Sequence, residues 1–122
     1  MILSQNYEDI NSIYDFYEGI ISDIFWDNNF ADLVVVVYYF FDKPIGLKNK
    51  DVVMRFKKCS TFNFDCTNMI SAMKRFNIAR PHPEIDLISL KKDSSCITVK
   101  ISTNYDDPMI TLSCDEIWIE LI

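Results

Sequence analysis

The strongest constraint on the fold is an unbroken run of nine apolar residues, Leu33 to Phe41, enclosed by Asp32 and Asp42. Its β-branched and aromatic residues are typical of a β-strand that is covered on both faces. The run has about half the length that a membrane-spanning helix requires. Since 122 residues build one hydrophobic core rather than two, the sequence predicts a single domain, residues 1–122, around this strand.

Two other segments have the apolar spacing of amphipathic helices. From Asn6 to Ile21 apolar residues recur at steps of three and one, with Asn6 as the cap, so we expect a helix that ends near Gly19. The segment from Thr67 to Asn77 predicts a second helix, capped by Thr67 or Asn68. Between the first predicted helix and the apolar run, residues 20–26 are expected to lead into the sheet as an irregular or extended segment.

The remaining segments alternate or are rich in strand-forming residues. They predict strands at Val52–Phe56, Thr61–Phe64, Ile85–Leu90, Cys96–Ser102, Met109–Cys114 and Ile117–Leu121. A bulge is expected at Lys58–Ser60, a turn at Lys43–Gly46 and a hairpin loop at Asn104–Pro108. The predicted fold is therefore α+β, a mostly antiparallel sheet of about six strands with one or two helices packed on one face.

Charge is distributed unevenly along the chain. Residues 1–32 carry seven acidic residues and residues 101–122 carry five, and neither segment has a lysine or arginine. All twelve basic residues lie between Lys43 and Lys100. Either the ends and the middle neutralise each other on a mixed surface, or the two ends lie side by side as a negative face. Such a face would attract a cationic protein and would disfavour nucleic acid, which needs a basic surface.

No residue pattern indicates catalysis, a metal or a cofactor. His82 is the only histidine and lies between two prolines, and the cysteines at 59, 66, 96 and 114 form no C-x-x-C pair. Acidic pairs such as Asp106-Asp107 and Asp115-Glu116 are most simply solvated charges. We therefore expect a non-enzymatic protein without metal or cofactor. The N-terminus lacks the features of a secretion signal, which favours a cytoplasmic protein that does not bind membranes.

Trp118 is the strongest candidate for an interface anchor. In the predicted last strand, Ile117 and Ile119 belong to the core side, and Trp118 shares the opposite face with Glu116 and Glu120. A tryptophan between two acids on an exposed face is typical of protein interfaces. The alternative is that another element, such as the first helix, covers it.

The layout of the chain resembles small bacterial immunity proteins, which protect a cell from polymorphic or contact-dependent growth inhibition toxins. The resemblance covers residues 24–122: an aromatic-Asp step at Phe25-Trp26-Asp27, the apolar strand, the strand at 52–59 and the C-terminal strands from Ile97 to Ile119. Some proteins with this layout have a His-Asp step after the aromatic residue, and this chain lacks that step. The resemblance implies a protein that binds one toxin domain, in some cases a basic nuclease, and blocks it.

Three hypotheses follow. In the first, the chain is a toxin-neutralising binder, a monomer or weak dimer, whose acidic and aromatic contact residues are Asp23, Asp27, Tyr105, Asp106, Asp107, Asp115, Glu116, Trp118 and Glu120. In the second, it is a structural or phage-encoded protein that self-associates through edge strands or Trp118. In the third, it is a small enzyme with a carboxylate site.

Overall fold

The computed structural model describes residues 1–122 and contains nine strands, one α-helix and one 3-10 turn, Tyr7–Asp9. The strands are β1 (Ile2–Ser4), β2 (Ile20–Asp27), β3 (Asp32–Tyr39), β4 (Lys50–Lys57), β5 (Thr61–Phe64), β6 (Ile85–Asp93), β7 (Cys96–Thr103), β8 (Ile110–Cys114) and β9 (Glu116–Leu121); the helix is α1 (Thr67–Phe76). No helix has the length and apolarity needed to cross a lipid bilayer.

The strands form two sheets. One has five strands in the order β1-β9-β4-β3-β2, the other has four in the order β5-β8-β7-β6, and all neighbours are antiparallel. The prediction of a mostly antiparallel α+β protein is confirmed. The number of about six strands is wrong, because strands also form at residues 2–4 and 20–27 and the chain divides its strands between two sheets.

One core fills the space between the sheets. Inward-facing residues of β3 and β4, such as Val35 and Met54, contact those of β7 and β8, such as Val99 and Leu112, and all four are fully buried. β3 is buried along almost its whole length, as the apolar run predicts. Its outward residues Val34 and Val36 are shielded by neighbouring side chains of the same sheet rather than by another layer.

The chain crosses between the sheets at two adjacent places. After β4, Lys58 adopts a left-handed conformation (φ 51°) and the chain enters β5 in the other sheet. Asp115 makes the return from β8 to β9, and its N–H donates to the carbonyl of Lys57 at 2.9 Å. The bulge predicted at Lys58–Ser60 is thus a crossing.

The predicted helix from Asn6 to Ile21 is wrong. Asn6 does cap a turn, since its side chain accepts a hydrogen bond from the Glu8 N–H, but the turn ends at Ile10 and Asn11 has a φ of 71°. Tertiary hydrogen bonds replace helical ones beyond that point. The Asp15 N–H donates to the Tyr39 hydroxyl at 2.7 Å, and Asn11 Nδ2 donates to the Ile88 carbonyl at 2.8 Å. The apolar residues of the segment pack on the core without a helix.

The second predicted helix is confirmed as α1, but its apolar stripe is not buried. No residue of α1 is fully buried, and Phe76 is 65% exposed. The N-terminal cap comes from another part of the chain. The carboxylate of Asp106, in the β7–β8 loop, accepts from the N–H groups of Asn68 at 2.8 Å and Met69 at 3.1 Å.

Candidate protein-binding face

The outward side of the five-stranded sheet, here called the outer face, is covered by no other element. The registers place its side chains in rows across the strands. One row is Asp27, Asp32, Lys57 and Glu116; the next is Phe25, Val34, Arg55 and Trp118; a third is Asp23, Val36, Val53 and Glu120. Five of the nine predicted contact residues therefore share one face: Asp23, Asp27, Glu116, Trp118 and Glu120.

Arg55 links the two acidic ends of the chain across this face. Its Nη1 lies 2.7 Å from Asp27 Oδ2 on β2, and its Nε lies 3.1 Å from Glu120 Oε1 on β9. Burial alone would lower the pKa of Arg55, but the hydrogen bonds to Asp27 and Glu120 raise it above its usual range. The arginine thus remains charged and fixes both carboxylates in position.

Asp32 is the buried member of the same network. Its side chain is 2% exposed, and its Oδ2 accepts from Lys57 Nζ at 3.1 Å and from Asn28 Nδ2 at 2.5 Å. Burial would raise the pKa of Asp32, but these bonds and one from the Lys58 N–H lower it. The pKa of Asp27 is also lowered, first by the hydrogen bond from Arg55 and then by the Asn28 N–H. Both carboxylates are therefore ionised at neutral pH.

A groove of about 540 Å³ lies beside this network. Val34, Val36 and Val53 form its apolar floor, and all three are buried. Asp23 and Glu120 stand on opposite sides of it, separated by three strand spacings or about 14 Å. An apolar floor between charged rims matches the composition of protein-binding surfaces.

The outer face is acidic overall. Its two cations are Arg55 and Lys57, and its six carboxylates bring the net charge to −4. The carboxylates are those of Asp23, Asp27, Asp32, Asp51, Glu116 and Glu120. Three of these acids, Asp23, Asp51 and Glu116, make no ion pair and are exposed. They are free to pair with a cationic partner.

Trp118 lies on the outer face, as its alternation with Ile117 and Ile119 predicts. It is half-buried because a side chain from the neighbouring strand of its own sheet covers its ring. Lys57 Nζ lies 4.6 Å from the ring centroid. Its indole Nε1 is buried without a hydrogen-bond partner. The first helix predicted as an alternative cover does not exist.

The structure places the other predicted contact residues elsewhere. Tyr105, Asp106 and Asp107 lie in the β7–β8 loop of the four-stranded sheet, and Asp115 lies at the crossing into β9. Asp106 is 3% exposed and is occupied in capping α1. Of the two alternatives for the acidic ends, the side-by-side arrangement does not hold for β2 and β9, because β3 and β4 lie between them. Arg55 and Lys57 of the basic middle stand among the carboxylates, as the mixed-surface alternative expects.

Sequence reasoning missed Arg55, Lys57 and the valine floor. Their alternation along β3 and β4 was visible, but it indicates only that they share a face, not which acids stand opposite them. No three His, Cys, Asp or Glu side chains are arranged to hold a metal ion. His82 is exposed in its loop.

Comparison with models of protein families and with curated proteins gives no match. The fold is similar to that in the crystal structure of an uncharacterized protein from Neisseria gonorrhoeae, with a TM-score of 0.56 and 16% sequence identity. The similarity covers 88% of this chain and 95% of the other. At that identity it shows a shared fold and nothing about activity.

Proposed function

We propose that the protein is an immunity-type inhibitor, a non-enzymatic protein that binds a cationic toxin domain through the outer face. The observation that supports this is the net charge of −4 on a sheet face that no other element covers and that has an apolar groove at its centre. The resemblance of the chain's layout to immunity proteins points the same way.

The arrangement suits fast and selective docking. Unpaired carboxylates attract a basic surface over distance and raise the association rate. Once the partner is docked, apolar side chains or the stems of lysine and arginine fit the valine floor, while Asp23 and Glu120 accept hydrogen bonds from their charged ends. The ion pairs of Arg55 hold the face rigid, so that little side-chain entropy is lost on binding.

The proposal is tested with the product of the gene adjacent to the one that encodes this chain. A toxin domain encoded there is expressed in a bacterial host with and without the protein, and survival and complex formation are measured. We expect rescue of growth by the unaltered protein. We expect Asp23→Lys and Glu116→Lys together to slow association at least about tenfold at low salt.

Asp86→Lys and Asp93→Lys together are the matched control. They make the same change of charge on β6 of the four-stranded sheet, where both acids are exposed, and they should leave association unchanged. A toxin that binds equally well to the outer-face variant, or a neighbouring toxin that the protein does not neutralise, would contradict the proposal.

A further inference from the structure

Four aromatic side chains line the lateral opening of the sandwich between β2 and β5. We call Trp26, Phe30, Phe62 and Phe64 the aromatic edge. Ring centroids are 6.4 Å apart for Phe30 and Trp26, 5.5 Å for Trp26 and Phe62, and 6.4 Å for Phe62 and Phe64. Phe30 is 75% exposed, Phe64 41% and Trp26 37%. A continuous row of rings, three of them exposed, marks an interaction surface.

The opening follows from the sheet order. β2 is the edge of the five-stranded sheet and β5 is the edge of the four-stranded sheet. Apart from the bridge between Ile20 and Glu84 at the start of β2, no strand lies beyond them. Met69 of α1 lies at one end of the opening, beside Ile21 and Phe64. The remaining end, with Trp26, Phe62 and Phe30, is left to solvent.

Phe30 is held in place by an unfavourable backbone. Asn28, Asn29 and Phe30 have φ values of 50°, 55° and 69°. Asparagine tolerates this left-handed region, but a phenylalanine there is uncommon and strained. With three quarters of its surface exposed, Phe30 recovers little of that cost by packing within its own chain.

The two ends of the aromatic edge carry opposite charge. Lys58 lies beside the Phe30 end, since its N–H donates to Asp32 Oδ1 and the next N–H, of Cys59, donates to the Ala31 carbonyl. Asp65 follows Phe64 at the other end, and Asp65 and Asp23 outnumber the single cation Lys74 among the residues that surround Phe64. The side chains of Lys58 and Asp65 are exposed and neither makes an ion pair.

From this polarity we infer that the occupant of the aromatic edge is a second copy of this chain. A two-fold axis across the edge brings Lys58 of each copy to Asp65 of the other and stacks the two aromatic ladders. The outer face, with its charge of −4, would repel a copy. Strand pairing through β2 is also blocked, because the Asp23 carboxylate accepts the Ile24 N–H at 2.9 Å and a bulge interrupts the strand between Ile21 and Asp23.

The test is sedimentation velocity of the purified protein from about 1 to 500 µM, a range that resolves dimers with micromolar dissociation constants. We expect a monomer–dimer equilibrium that Phe30→Gly shifts at least about tenfold toward monomer. Because glycine relieves the strained φ, the same variant should be at least as stable to urea as the unaltered protein, which separates loss of contact from loss of folding. Ile45→Gly is the control, since Ile45 is 92% exposed in the β3–β4 turn, at the opposite end of β3.

Charge exchange tests the orientation. Lys58→Glu and Asp65→Lys should each weaken the dimer, and the double variant should restore it. A protein that is monomeric at every concentration would overturn the inference. So would a double variant whose dimer is weakened by as much as the two single effects added together. These measurements use the protein alone, so their outcome is independent of whether the outer face binds a toxin.

Discussion

The cap that Asp106 gives to α1 yields the sharpest prediction about stability. Asp106→Ala removes a buried carboxylate that accepts two hydrogen bonds, from the Asn68 and Met69 N–H groups at 2.8 and 3.1 Å. Both donors belong to the first turn of α1 and have no other partner in the helix.

The cost follows from the structure. Loss of an N-cap acceptor costs about 0.5–2 kcal/mol, and hydrogen bonds to a charged group are stronger than neutral ones. We therefore expect α1 to lose about 2–3 kcal/mol. A ten-residue helix is marginal by itself, and α1 has no fully buried residue that would hold it in place. The loss should therefore appear as local opening of α1 rather than as unfolding of the sandwich.

Amide hydrogen exchange measures this effect directly. Amides of residues 70–76 should exchange about 30- to 150-fold faster in Asp106→Ala, while those of β3 and β4 keep their rates. Asp107→Ala is the matched control, because it removes the neighbouring charge, whose partner is the Ser102 hydroxyl rather than the helix. Unchanged protection of α1 in Asp106→Ala would refute the assignment of Asp106 as its cap.

Three further predictions concern the interior and the outer face. Arg55→Met should lower the free energy of unfolding by about 1–3 kcal/mol in urea titrations, since Asp32 then keeps only one cationic partner; no loss would mean that the network is not stabilising. Because the pKa values of Asp27 and Asp32 are lowered on folding, their contribution is complete above about pH 4 and is lost as the pH falls below it. Asp32→Asn should therefore flatten the dependence of stability on pH between about 4 and 2, and an unchanged slope would exclude Asp32 as its source. Burial, together with neighbouring acidic groups, raises the pKa of Cys114 to about 12, so iodoacetamide at neutral pH should not modify Cys114 until the protein unfolds, as peptide mass mapping would show.

Local patterns were sufficient for most elements of the fold. The apolar run predicts β3, the alternation of Val52–Phe56 predicts β4, and the cap and spacing of Thr67–Asn77 predict α1. The helix predicted from Asn6 to Ile21 was wrong because the apolar spacing of this segment fits two structures. One is a helix, and the other is an irregular chain that packs Tyr14 and Phe16 on the core. Hydrogen bonds to residues distant in sequence decided between the two, and no local pattern contains them.

The candidate site could be predicted only in part. Alternation along β9 predicted that Trp118 shares a face with Glu116 and Glu120. This prediction requires knowledge of that one strand alone. Arg55 joins Asp27 to Glu120 through registers that depend on three strand pairings, and Asp106 is buried because a helix 37 residues earlier needs its carboxylate. A charge pattern indicates how acidic a surface can be, but not which acids are exposed.

The position of β9 has a consequence for biosynthesis. Although it is the ninth strand in chain order, β9 lies inside the five-stranded sheet, between β1 and β4. While residues 116–121 are still within the ribosome, β4 presents an open edge and β1 has no neighbour. The five-stranded sheet therefore stays open at β4 until residues 116–121 have left the ribosome, and its completion follows the synthesis of every strand of the four-stranded sheet.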